Sequence, residues 1–166
     1  KIQIKLFLSS SIEKVAPYMG LNELPQLPSK LESVINKINN KNYGKLEYKY
    51  LDPSKDQTVA DEMKKYKIMN LKWPDLAKDK IKAGTGAVGL VMEYDQKVIE
   101  IPLIQVIRIP IIGTRYNLVE MDDLEEIVND NLESLIDINE DIGYLADHGT
   151  LELLSSSPMN PMQQKA

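Results

Sequence analysis

The chain has 166 residues, with 20 Lys and Arg against 25 Asp and Glu, one histidine and no cysteine. That length holds one ordinary domain, or one domain and a piece of another. The lack of cysteine excludes disulfides, thiolate metal sites and dithiol redox chemistry.

The net charge of −5 is unevenly spread. Residues 1–116 carry 19 basic and 13 acidic side chains, a balance of +6, whereas 117–166 carry one and 12, a balance of −11. Such asymmetry points to two parts with different surroundings, or two parts that attract each other. The lysines of the first part are scattered, which is a poor footprint for nucleic acid, and none is expected as a partner. No apolar run approaches the roughly 20 residues that cross a bilayer as a helix.

Ile2, Ile4, Leu6 and Leu8 alternate with polar residues, so the chain opens with a strand that Ser9-Ser10-Ser11 ends. An irregular connection holding Pro17, Gly20 and Pro25 follows. Ser29 and Glu32 have capping-box spacing and predict a helix start, with Leu31, Val34, Ile35 and Ile38 as its apolar stripe. Asn39–Gly44 turns the chain into Lys45–Pro53, where Leu46, Tyr48 and Tyr50 share one face. This reads as an inner strand, parallel to the first because a helix connects them. Asp52-Pro53 ends it.

Asp56 is placed to cap a second helix bearing Val59, Ala60, Met63 and Tyr66. Trp73-Pro74-Asp75 breaks the pattern, and Lys78–Lys82 reads as a short helical turn. Gly84-Thr85-Gly86-Ala87-Val88-Gly89 reads as a flexible entry loop into the strand Leu90–Tyr94, with a turn at Asp95-Gln96 leading to Lys97–Ile101. Leu103–Ile112 is apolar and β-branched, but Pro102 and Pro110 restrict it to an edge or bulged strand. Asp122 and Asp123 begin a last helix whose face carries Leu124, Ile127, Val128, Asn131, Leu135 and Ile136. Ile142–Ala146 reads as a short strand that borrows a partner, most simply another copy of the chain. A loose tail begins near Ser155.

The chemistry-bearing candidates are few. Gly84, Gly86 and Gly89 have Gly-x-Gly-x-x-Gly spacing, but they precede a strand rather than a helix, so no helix N-terminus faces a phosphate. His148 is the only histidine, and neither a cysteine nor a spaced serine pairs with it. The acids of Asp122–Asp141 lack the glycine turn and alternation of a calcium loop, and read as a solvated helix face. No catalytic, cofactor-binding or metal-ligating residue is assigned.

The order of elements resembles the thioredoxin-like layout, with Ser9-Ser10-Ser11-Ile12 where redox members carry Cys-x-x-Cys. A more specific resemblance is to the auxiliary components of ABC-2-type transporters, the group that includes the gliding-motility auxiliary protein. Its carriers are Ile4–Ser9, Gly44-Lys45-Leu46 through Asp52-Pro53, Lys65-Tyr66-Lys67-Ile68, Val91–Tyr94, Ile101-Pro102 and Ile142–Thr150. The last of these resembles the Gly-His-Gly-Glu turn that opens a second, amidotransferase-like domain, with Asp147 and Thr150 departing from it.

The resemblance implies a thioredoxin-like three-layer α/β sandwich with a mixed sheet over 1–116. An acidic helix and strand over 117–152 would lead to a mostly absent amidotransferase-like domain, with a disordered tail over 153–166. The implied function is non-enzymatic: an extracytoplasmic domain, membrane-anchored in its full-length form, that contacts transporter membrane subunits or cell-envelope proteins. The alternative is a small-molecule or enzymatic site near Gly84–Gly89 or His148.

Overall fold

The structure, a computed structural model, describes residues 1–147 except 42, 43 and 79; for 137–147 it describes the backbone. The first strand, β1 (Ile2–Leu8), carries Ile4, Leu6, Phe7 and Leu8 fully buried, so apolar side chains leave it on both faces. A strand of that kind belongs in the middle of a sheet. Three short 3-10 turns then lead to α1 (Leu27–Lys41). The helix starts two residues before Ser29. Pro28 is tolerated in the first turn, where its missing N–H has no partner to lose. The Ser29 hydroxyl donates back to the Gln26 carbonyl (3.1 Å), so it lies inside the turn and the expected Ser29–Glu32 capping box is corrected.

β2 (Leu46–Leu51) pairs parallel with β1, Ile2 opposite Leu46 through Phe7 opposite Leu51. It is an edge strand, which corrects the expectation of an inner one. The reason is chemical: Lys49 and Tyr50 are exposed and Glu47 is half-exposed, and a charged, wet strand suits an edge. Asn39 sets its start, accepting from the Leu46 N–H and donating to the Leu46 carbonyl, each at 2.9 Å. Asp56 caps α2 (Gln57–Met63) as expected, its carboxylate accepting from the Thr58 N–H at 2.8 Å.

The long strand β4 (Gly84–Tyr94) organises the sheet. Along one side it pairs antiparallel with β1. Along the other, its first half pairs with β3 (Met69–Trp73) and its second half with β5 (Lys97–Ile101). The sheet runs β2-β1-β4-β3 with β5 also paired to β4, and its one parallel and three antiparallel pairings make it mixed, as expected. Gly84–Gly89 is therefore strand, not an entry loop. Among the described residues of 78–82 there is no helix; Leu76 and Ile81 exchange backbone hydrogen bonds of 2.8 and 3.1 Å.

One face of the sheet presents Ile4, Leu6, Leu8, Val88, Leu90 and Met92 to α1 and to the start of α3 (Leu124–Asp147). The other face buries Phe7, Ala87 and Val91 and meets α2 and Tyr66, whose ring lies 5.6 Å from that of Phe7. Helices on both faces make three layers. Between β5 and α3 the chain forms a separate hairpin, β6 (Ile104–Ile109) and β7 (Gly113–Leu118), where only the first of these strands was foreseen.

The first part of α3 belongs to one compact unit, Lys1–Leu135, with Leu124, Val128, Leu132 and Leu135 buried. Acids in its first turn and just before it meet lysines of α1: Lys37 with Glu125 at 2.5 Å and Lys30 with Asp122 at 3.8 Å. Residues 136–147 continue the helix, so the expected strand at Ile142–Ala146 is corrected. Leu135, Ile138, Ile142 and Leu145 recur at three- and four-residue steps, a helical period that the short window 142–146 concealed. No free strand edge exists there to recruit a second copy. Among the described residues no helix is long and apolar enough to cross a membrane.

Candidate functional site

Three places gather polar or exposed groups. The first is the corner after β1, where redox thioredoxin-like proteins hold their cysteines. Ser9 is buried, and its hydroxyl accepts from the Ala87 N–H at 2.9 Å while its own N–H reaches the Ala87 carbonyl at 3.0 Å. Asp52, at the end of β2, accepts from the Ser10 N–H (3.1 Å), the Ser54 N–H (3.0 Å) and the Ser54 hydroxyl (2.6 Å). Burial pushes the Asp52 carboxyl up, but these hydrogen bonds from Ser10 and Ser54 outweigh it and hold its pKa down to about 2. The Ser11 hydroxyl donates to the Thr85 carbonyl at 3.4 Å. Every serine of the corner is thus bonded within the protein, and Asp52 stays ionised rather than poised as a base near neutrality.

The second place lies under α2. The ammonium of Lys5, only 13 % exposed, contacts Glu62 at 2.7 Å and Glu93 at 2.6 Å, with the Tyr66 hydroxyl at 3.4 Å. Tyr66 also donates to Glu93. Burial works against the charge on Lys5, but Glu62, Glu93 and Tyr66 prevail and raise its pKa above the ordinary lysine value. Burial likewise opposes ionisation of Glu93, and Lys5 and Tyr66 reverse that and lower its pKa. A lysine held more firmly protonated is no nucleophile or base. The cluster ties α2 to β1 and β4.

The glycines of the alternative reading, Gly84, Gly86 and Gly89, are packed against side chains of the protein. A Cβ at Gly86 would lie 2.2 Å from Ile12 Cγ1, one at Gly89 2.8 Å from Ile68 Cδ1, and one at Gly84 2.8 Å from the Trp73 ring. These glycines make room for protein side chains packed on the sheet, not for a phosphate. His148 lies outside the described residues. Among the described residues no three His, Cys, Asp or Glu side chains gather as a metal site.

The third place is the tip of the β6–β7 hairpin, with an open cleft of about 590 Å³ beside the first half of β7 that Lys72, Trp73, Arg115 and Tyr116 help to line. Ile111 and Ile112 at the tip are 107 % and 81 % exposed. Sequence reasoning passed over it, although one signal was present: between Glu100 and Glu120 there is no acidic residue.

No family model matches the chain, and no curated protein or solved structure matches it either.

Proposed function

We propose that this chain is a non-enzymatic, extracytoplasmic domain of an ABC-2-type transporter auxiliary subunit, working through contact with transporter membrane subunits or cell-envelope proteins. The observation that supports the non-enzymatic part of this reading is the corner after β1; the transporter part rests on the sequence resemblance. The sheet around it is mixed, and Ser9, Ser10 and Ser11 are spent on hydrogen bonds to Ala87, Asp52 and Thr85. A scaffold whose reactive corner has become part of its framework offers surfaces rather than chemistry.

The test is made in the cell. Tagged full-length protein is crosslinked in place, the envelope fraction is isolated, and the captured partners are identified by mass spectrometry. Transporter membrane subunits or envelope proteins are the expected partners, alongside a neighbouring gene for an ABC ATPase. Recovery in the cytosol alone, with soluble metabolic enzymes as the captured partners, would overturn the proposal.

A further inference from the structure

The β6–β7 hairpin combines features that a folded protein in water has reason to avoid. Its ladder closes at Ile109 opposite Gly113, leaving Pro110, Ile111 and Ile112 as the loop. Ile111 sits at φ +72°, a left-handed conformation that a β-branched residue adopts only against steric resistance. Glycine or asparagine is the ordinary occupant of such a position. The same side chain is fully exposed, and Ile112 nearly so. Strain and exposure thus coincide at Ile111, and the exposure extends to its neighbour Ile112.

The charges around the tip are equally one-sided. Residues 101–119 contain Arg108 and Arg115 and no acid, in a chain with 25 acids overall. Neither arginine forms an ion pair among the described residues, and both are exposed. Arg108 stands opposite Thr114 and Arg115 opposite Ile107, so the two cations leave the ribbon on opposite faces. Three residues separate Arg108 from Ile111, so it lies at most about 10 Å behind the tip.

We infer that the β6–β7 hairpin is a membrane-contact loop: Ile111 and Ile112 enter the apolar layer of an anionic lipid surface, and Arg108 and Arg115 bind its phosphate headgroups. The geometry favours lipid over a protein groove for one reason. A plane of headgroups surrounds an inserted tip on all sides and so rewards cations on both faces of the ribbon. The spacing between tip and cations also matches the shallow depth, about 5–10 Å, at which amphipathic elements settle into a bilayer interface. Attraction is local, because charges beyond roughly 8 Å are screened at physiological salt, so the net −5 of the whole chain does not oppose it. This inference does not depend on the transporter reading.

The experiment uses the full chain and vesicles of phosphatidylglycerol mixed with phosphatidylcholine, with pure phosphatidylcholine as the comparison. Because the chain has no cysteine, Ile111→Cys carries a polarity-sensitive dye at one place, and Val98→Cys, exposed on β5, serves as its control. The dye at 111 shifts to the blue on anionic vesicles, and the dye at 98 does not. In flotation, Arg108→Gln and Arg115→Gln each weaken binding about fivefold, and added salt weakens it further. Ile111→Asp weakens it at least about tenfold. Ile111→Asn, which relieves the backbone, keeps the fold by circular dichroism yet loses vesicle affinity. Flotation unchanged in Ile111→Asp, or no blue shift at 111, would overturn the inference. So would a shift that needs no vesicles and grows with protein concentration, which would make the tip a surface between copies.

Discussion

At the scale of single residues, Asp52 has the clearest solution consequence. Burial opposes its ionisation, but hydrogen bonds from Ser10 and Ser54 overcome that effect and hold its carboxyl pKa down to about 2, below the 3.8 of the free group. A group lowered in this way adds stability above its unfolded value and loses it as pH falls toward its folded value. The contribution is about 2 kcal/mol, lost between about pH 4 and about pH 2. Asp52→Asn should reduce stability at neutral pH and flatten that acid limb in urea melts at a series of pH values. Glu93, lowered in the same sense, keeps some slope in the variant. An unchanged acid limb would assign the dependence to other groups. Ile111 behaves oppositely: Ile111→Asn should raise stability in water by about 1 kcal/mol, because the left-handed strain disappears.

At the scale of elements, the Lys5 cluster and the glycines of β4 are testable. Lys5→Met leaves Glu62 and Glu93 facing Tyr66 without their cation, which should cost about 2 kcal/mol after allowance for their partial exposure. Adding Glu93→Gln should recover part of that loss, since the remaining carboxylate is then less opposed. Simple additivity in the double variant would mean that the three groups do not act together. Gly86→Ala should destabilise by about 1–3 kcal/mol through overlap with Ile12, measured by urea unfolding. ATP and NAD should give no heat on titration into the unaltered chain; micromolar binding abolished by Gly86→Val would overturn the expectation that these glycines bind no nucleotide.

These positions also show what could be read from the sequence. β1, β2, the stripe of α1, the Asp56 cap and the β4–β5 hairpin carry strong local periods or turn residues, and they appear as expected. Gly84–Gly89 was misread because glycine has low strand propensity, and its real reason lies in Ile12 and Ile68, residues far along the chain. β3 was hidden because Met69, Leu71 and Trp73 alternate over only five residues beside a proline. Lys5 looked like the wet face of a strand; only the tertiary fold brings Glu62 and Glu93 to it.

At the scale of the whole molecule, β4 pairs with three of the other four main-sheet strands: β1 lies along one side, β3 and β5 along the other, and β2 reaches it through β1. The closest of its pairings with β1 is Leu8 opposite Val88, eighty residues apart. That separation has a consequence in time. A ribosome adding roughly 5–20 residues per second takes about 4–16 seconds to supply the partner that β1 requires. During that interval β1 can pair with β2 alone, and its other edge carries open backbone groups beside some of the most apolar side chains in the protein. Folding of the sheet therefore waits on its most distant contact, and the nascent chain is most vulnerable to wrong pairing just before Gly84–Tyr94 is made.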